Sequence, residues 1–563
     1  MIELVPPGAV LYLGGLLVPL IRGRLRSAYL LALPLLSLAH LLVLDKGLYL
    51  QFSLFQYELT PVRVDQLSLV FGYIFHLAVF LMVIYALHVR EPLQHLAGLV
   101  YAGTAIGAVF AGDLMTLFVF WEITAVSSVF LIWARKTTRS YRAGMRYLII
   151  QVGSGVLLMA GAILHVWNTG SLEFGELGTA TLATKLIFVA FGIKCAFPLL
   201  HNWLQDAYPE ATVTGTVFLS AFTTKLAVYA LARGYPGTES LIWIGAAMTA
   251  FPIFYAVIEN DLRRVLAYSL NNQLGFMVVG IGIGTPMALN GTVAHAFTHI
   301  LYKALLFMSM GAVLYRTGTI KGSELGGLYK SMPYTTVFCA VGAASISAFP
   351  FFSGFVSKSL ILTAAADGNY VFIWFVLLFA SAGVFHHSGI KIPFFAFFAH
   401  DSGIRCKEAP LNMLISMGIT AFLCIGIGVW PGPLYGILPF DVEFHPYEPT
   451  HFWTQWQLLL FSALAFSVLM RTGLYPKETP SVDLDTDWVY RRLLPRAVGG
   501  IARVLDSARQ VLHDRLTHRF ERFLSGVYRQ YGPEGVFART WATGSSVLWV
   551  LVLLCLFLIL YYL

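Results

Sequence analysis

Seven ionisable side chains sit within runs apolar enough to lie in a membrane. They are Glu122 in LMTLFVFWEITAVSSVFLIW, Lys194 in TKLIFVAFGIKCAFPLL, Lys225 in TVFLSAFTTKLAVYALA, His295, His299 and Lys303 in HAFTHILYKALLF, and Lys358 in FPFFSGFVSKSLIL. A charge at membrane depth is costly, and such residues mark ion pathways and proton relays by default. Desolvation disfavours the charged form of each group, whereas pairing a carboxylate with an ammonium favours both charges. A Glu122–Lys194 pair is therefore bistable, and a proton or cation brought nearby would separate it. The alternative is a permanent buried pair that only fixes packing, but such pairs seldom add net stability. His295, His299 and Lys303 recur every four residues, on one helix face, about 6 Å apart per step. Imidazoles that titrate near neutrality suit relay. Two histidines at that spacing also suit a metal, but HAFTH lacks the glutamate of a zincin helix, so no metal site is expected.

These residues need elements that hold them at depth. Hydrophobic residues make up 58% of the 563-residue chain and charged residues 12%, which excludes an ordinary soluble domain and predicts an all-α polytopic membrane protein. At about 20 residues per crossing, the hydropathy predicts roughly fifteen or sixteen transmembrane helices. The net charge of +8 does not point to nucleic acid, because the excess sits in short loops and a tail. Arg22, Arg24 and Arg26, then Arg135, Lys136 and Arg139, then Arg263 and Arg264, then Lys321 and Lys330 fall in alternate loops, whereas Glu58, Glu173, Asp441 and Glu443 fall between them. The positive-inside rule then predicts an external N-terminus in a bacterial inner membrane. Glu3 and Pro6-Pro7 stand where a cleaved signal peptide has basic residues, so none is expected.

Pro198 and Pro350 each remove a backbone donor and break a helix, and Gly354 adds freedom to the second break. Lys194 precedes Pro198 and Lys358 follows Pro350, in helices expected to run in opposite directions, as in an inverted-repeat transporter. Ser353 and Ser357 supply hydroxyls that can hold water, and Asn271, Asn272 and Gln273 line a wet path or bridge helices. His386, His387 and Lys391 fall near a helix end, where snorkelling to the interface is the simpler account. The five cysteines are scattered, so no disulfide framework, cluster or cofactor is expected on this chain. After Leu474 a polar linker around Pro476, Pro480 and Asp483 leads to an amphipathic stripe from Arg491 to Arg539. That stripe suits a helix on the cytoplasmic membrane surface or a strut along a neighbouring subunit. Ser546 to Leu563 is long enough for a last crossing.

LMTLFVFWE, KCAFPLLHNWLQDAYPEA, Lys225, NDLRRVLAYS with Gln273 and Gly275, HILYKALLF and SGFVSK follow one another in an order that resembles the antiporter-like membrane subunits of respiratory complex I, membrane-bound hydrogenases and Mrp-type cation/proton antiporters. The resemblance covers roughly residues 67–437. It implies two inverted five-helix bundles, with discontinuous helices carrying Lys194 and Lys358 and a hydrophilic axis across the membrane plane. It also implies roles: Glu122 pairing with Lys194, relay by Lys225, His299 and Lys303, and Lys358 opening to an exit or to the next subunit. The chain departs from the family pattern at Gln205, Tyr208 and Thr212, and Ser359 follows Lys358 where the family has Asp. The tail resembles a short form of the lateral helix of the largest antiporter-like subunit of complex I.

The expected organisation is N-terminal helices over 1–93, bundles over 94–240 and 241–400, further spans over 401–474, linker and surface helix over 475–544 and a last span over 545–563. The expected function is proton translocation within a multi-subunit antiporter that exchanges H+ for Na+ or another monovalent cation, with other membrane subunits and the lipid bilayer as partners. A proton-pumping subunit of a redox-driven complex, or the membrane part of an ion- or bicarbonate-accumulating assembly, is the alternative.

Overall fold

Asp113 and Asp261 open the two helices around which the rest is built. Each accepts hydrogen bonds from amides of the following turn, Asp113 from Thr116 at 2.7 Å and Asp261 from Arg263 at 2.9 Å and Arg264 at 3.1 Å, satisfying amides that a helix start leaves open. The computed structural model describes residues 5–475, 479 and 485–563; Glu3 and most of the expected linker, including Pro476, Pro480 and Asp483, fall outside them. The chain forms two compact units, Met1–Asp483 and Leu484–Leu563.

The first unit begins with α1 (Ala9–Gly15) and α2 (Gly23–Leu42). Four short strands follow, which the sequence reading did not anticipate: Gly47–Tyr49 pairs with Val62–Val64, and Phe52–Leu54 with Tyr57–Leu59, both antiparallel. Then come α3 (Gln66–Ala86), α4 (Pro92–Phe110), α5 (Leu114–Trp133), α6 (Thr138–Thr169), α7 (Leu182–Lys194), α8 (Asn202–Ala207), α9 (Val213–Ala221) and α10 (Thr223–Gly234). Next are α11 (Glu239–Ile258), α12 (Leu262–Ile283), α13 (Pro286–Thr317), α14 (Pro333–Ile346), α15 (Ser353–Asp367) and α16 (Val371–Val384), which runs on through π-helical turns to Phe398. α17 (Leu411–Val429), the single turn α18 (Gly432–Tyr435) and α19 (Pro449–Thr472) complete the unit. The second unit holds α20 (Leu494–Tyr531) and α21 (Thr543–Tyr562), neither with a buried residue.

Among the described residues twelve helices are long and apolar enough to cross a membrane. The short α1, the interrupted pairs α7–α8 and α14–α15, and the more polar α12 account for the remaining expected crossings. The protein is thus an all-helical, multi-pass membrane protein, as its composition requires.

Two stretches of five crossings repeat each other. α6 and α13 are both 32 residues long. Asp113 bridges to Glu173, after α6, as Asp261 bridges to Lys321, after α13. The sequence Ala-Phe-Pro stands at both breaks, where Ala196 and Leu199 have φ of 62° and 70° and Ala348 and Phe351 have 56° and 70°. Left-handed backbone at non-glycine residues costs on the order of 1–3 kcal/mol each. Its recurrence at matching positions shows that both breaks are the same built feature. Five crossings per copy, an odd number, bring the second copy in from the opposite face, which is the inverted arrangement the lysine–proline pattern predicted.

Candidate functional site

Three of the four lysines of the row, Lys194, Lys225 and Lys358, are each held by a carbonyl that an irregular backbone exposes or an adjoining helix offers. Lys194 is the last residue of α7, where the break begins; it is fully buried and its Nζ donates to the Trp121 carbonyl of α5 at 2.6 Å, with the Trp121 ring centroid 4.3 Å away. Lys225 lies just beyond the interruption between α9 and α10 at Phe222, and donates to the Ser220 carbonyl at 2.6 Å and the Thr224 hydroxyl at 3.3 Å. Lys358 on α15 donates to the Ile346 carbonyl, the last residue of α14, at 2.8 Å, and its ammonium is 5.2 Å from the Phe276 ring centroid. In the repeat, Ile346 stands two residues before Ala348 as Lys194 stands two before Ala196. Lys358 therefore reaches the position in the second break that Lys194 holds in the first. Carbonyls and ring faces solvate an ammonium and leave it free to part with a proton, because none of them is a fixed opposite charge.

Glu122 sits on α5 beside Trp121, half-buried, within electrostatic reach of Lys194. Among the described residues no ion pair within 4 Å joins the two, and Glu122 Oε1 is buried without a hydrogen-bond partner. The carboxylate rests on Gly155 of α6, where a Cβ would lie 1.4 Å from Oε1. Gly155 was not singled out from the sequence; its role depends on α6 facing α5. One turn earlier on α6, Gln151 is fully buried with neither end of its amide partnered among the described residues.

The middle of the row is on α13. His295, His299 and Lys303 are all fully buried. His295 Nδ1 is 3.0 Å from the Ser357 hydroxyl, which is 2.8 Å from Thr298 Oγ1. On its other side His295 Nε2 is 3.4 Å from the Tyr302 hydroxyl, which donates to Gln273 Oε1 at 3.1 Å; the Gln273 amide in turn donates to Asn272 Oδ1 at 2.6 Å. These bonds link α15, α13 and α12 in one chain, with His295 at its centre and Ser357 one residue from Lys358. Gln273 therefore bridges α12 to α13, and Asn272, which also donates to the Thr249 carbonyl, bridges α12 to α11. Among the described residues, the Asn271 side chain, both His299 nitrogens and Lys303 Nζ are buried without hydrogen-bond partners. α10, which carries Lys225, packs against both α7, which carries Lys194, and α13. Pro198 and Pro350 lie in the two breaks, and a Cβ on Gly354 would meet the Ser345 carbonyl at 1.8 Å, so this glycine lets α15 start against the end of α14.

The snorkelling expected of His387 and Lys391 is overturned. Both are fully buried, and Lys391 Nζ donates to the carbonyls of Val257 at 2.6 Å and Glu259 at 2.7 Å, which the C-terminal end of α11 leaves open. Polar groups beneath the first break are paired across elements: Arg146 meets Asp206 through two hydrogen bonds at 2.7 and 3.0 Å, and Arg139 lies 2.5 Å from Glu210. Among the described residues no cluster of metal-ligating side chains is present.

Residues 111–399, which hold the whole row, match the protein family described as NADH:quinone oxidoreductase/Mrp antiporter, TM. The chain belongs to that family. It is similar to a Na(+)/H(+) antiporter subunit of Alkalihalophilus pseudofirmus, 32% identical over 47% of this chain and 58% of the relative. It is also similar to hydrogenase-4 component B of Escherichia coli, 27% identical over 67% of this chain and 64% of the relative. It thus spans about three fifths of either. Among solved structures, a chain of the membrane-bound sulfane sulfur reductase, an archaeal respiratory membrane complex, superposes with a TM-score of 0.73 at 23% identity, over 99% of this chain and 100% of that one. Relatives thus include antiporter and hydrogenase subunits, and the solved structure supports the fold.

Proposed function

We propose that the chain moves protons along the row from Glu122 and Lys194, through Lys225, His299 and Lys303, to His295 and Lys358, as one subunit of a multi-subunit monovalent cation/proton antiporter. The observation that carries this reading is that three buried lysines, in both repeats, are held by neutral carbonyls. A structural lysine would be expected to carry a fixed counter-ion. Moving one charge through the membrane potential involves about 2.3 kcal/mol per 100 mV, comparable to breaking one or two charge-assisted hydrogen bonds. Modest repacking at Lys194 or Lys358 can therefore gate transfer. The basic loops before α2, after α5 and after α13 support a cytoplasmic assignment for that face and an external N-terminus.

A second reading, a proton pump powered by the redox chemistry of a partner, is favoured by one observation. The respiratory-complex chain superposes over 99% of this chain, including the tail, whereas a chain of the Mrp complex from Dietzia superposes over 81% of it. Proton flux in inverted vesicles containing the complex separates the two. Flux on adding Na+ or K+ without an electron donor supports the antiporter; flux only with a reductant supports the pump.

A further inference from the structure

Ser359, the residue after Lys358, borders a cavity that no side chain of the row lines. It measures about 250 Å³, is lined by α15, α16 and α19 and opens to the surface, with polar lining that includes Ser359, Thr363, Asp367, His451, Thr454 and Gln455. It has room for several waters, each filling about 30 Å³ of liquid. Its inner end is tied to the second break. Gln455 donates to the Ser347 carbonyl at 3.0 Å, and Ser347 follows Ile346, whose carbonyl holds the Lys358 ammonium. Ser359, buried on the cavity wall, follows Lys358 directly. His451 stands further out: Nε2 is 3.4 Å from the Thr363 hydroxyl, Phe444 stacks on the ring at 5.6 Å, and Nδ1 is buried without a hydrogen-bond partner among the described residues. Asp367, exposed at the end of α15 remote from Lys330, is the charged group of the lining.

We propose that this cavity is the aqueous port of Lys358, with His451 as the proton relay and Gln455 as the group that positions water against the broken helix; the proposal rests on the reading that the row moves protons. The ammonium gives its proton to water between Ser359 and Gln455. That water passes a proton to one imidazole nitrogen of His451 while the other releases one outward past Asp367, so the ring ends neutral and one proton has crossed. Hydroxyl and amide groups that both donate and accept suit the water, and imidazole suits the relay. Where the resemblance leads one to expect a carboxylate after Lys358, this chain has Ser359, and α19 supplies the titratable group instead.

The test uses the assembled complex in vesicles of both orientations. In a chain with Cys406→Ser and Cys555→Ser, Ser359→Cys and Thr454→Cys should each react with a membrane-impermeant thiosulfonate added on the face remote from Lys330. Labelling should persist with Lys194→Ala, so it reports on the port whether or not the row transports. His451→Ala should lower flux about tenfold or more, as for loss of a proton-transfer group, and imidazole added on the same face should restore it. No labelling at either position in an assembled complex, labelling only from the Lys330 face, unchanged flux, or flux that imidazole does not restore would each overturn the port. Retained flux in Lys194→Ala would instead overturn the row and leave the labelling result standing.

Discussion

At the scale of single residues, transport turns on how a charge is kept movable. Lys194, Lys225 and Lys358 are held by carbonyls at 2.6–2.8 Å, and Glu122 is steadied by the missing side chain of Gly155. Gly155→Ala should push the carboxylate off α6 and lower proton flux about tenfold or more, since displacements near 1 Å can cost that much, with assembly intact. In a Glu122→Ala background the same change should do nothing further, and flux measured in the double variant checks the coupling. Outside the membrane, Asp65 caps α3 through the Ser68 amide at 2.9 Å and pairs with Arg233 at 2.8 Å. Burial works to raise its carboxyl, but Arg233, the Ser68 amide and Arg63 hold it below the usual carboxylate range. A lowered folded value contributes stability above the unfolded value near 3.9, and that contribution is lost as pH falls through the folded one. Asp65→Asn keeps a capping oxygen but loses the charge that pairs with Arg233, so it should lower the melting temperature at neutral pH, and the difference from the parent protein should vanish as pH falls through the folded value. A constant offset at all pH values would contradict this.

At the scale of elements, two broken helices place the row, and much of this was legible from sequence. Pro198 and Pro350 announced the breaks because a proline cannot complete a helix. The four-residue rhythm of His295, His299 and Lys303 announced their shared face. The hydrogen-bond chain through Tyr302 and Ser357 was not legible, because it depends on how α12, α13 and α15 face one another, which periodicity within one helix does not report. The burial of Lys391 was missed for the same reason: its partners are the carbonyls ending α11, remote in sequence. The small strands before α3 were missed because three-residue pairings carry almost no alternation signal. Gly354 makes the second break testable. Gly354→Ala forces a Cβ against the Ser345 carbonyl, so it should destabilise the complex by about 1–3 kcal/mol and reduce flux by moving Lys358 from Ile346. Gly153→Ala, where a Cβ meets nothing within 4 Å, should do neither, and thermal melts of both variants give the comparison.

At the scale of the whole molecule, the chain holds a helical membrane bundle and a separate two-helix unit, and the two make different demands. α20 and α21 bury none of their residues, so ending the chain after Tyr475 should leave the melting midpoint of the bundle unchanged while weakening co-purification of partner subunits; a bundle that no longer folds would contradict that separation. Sequence could not name the partners, because a face that meets another membrane subunit and a face that meets lipid are both apolar. The measurement that tests the central claim most directly is proton flux in vesicles holding the assembled complex, compared among parent, Lys194→Ala and Lys358→Ala. Flux abolished in both variants, with every subunit still present, is the predicted result. Flux retained in either would mean that protons do not travel along this row.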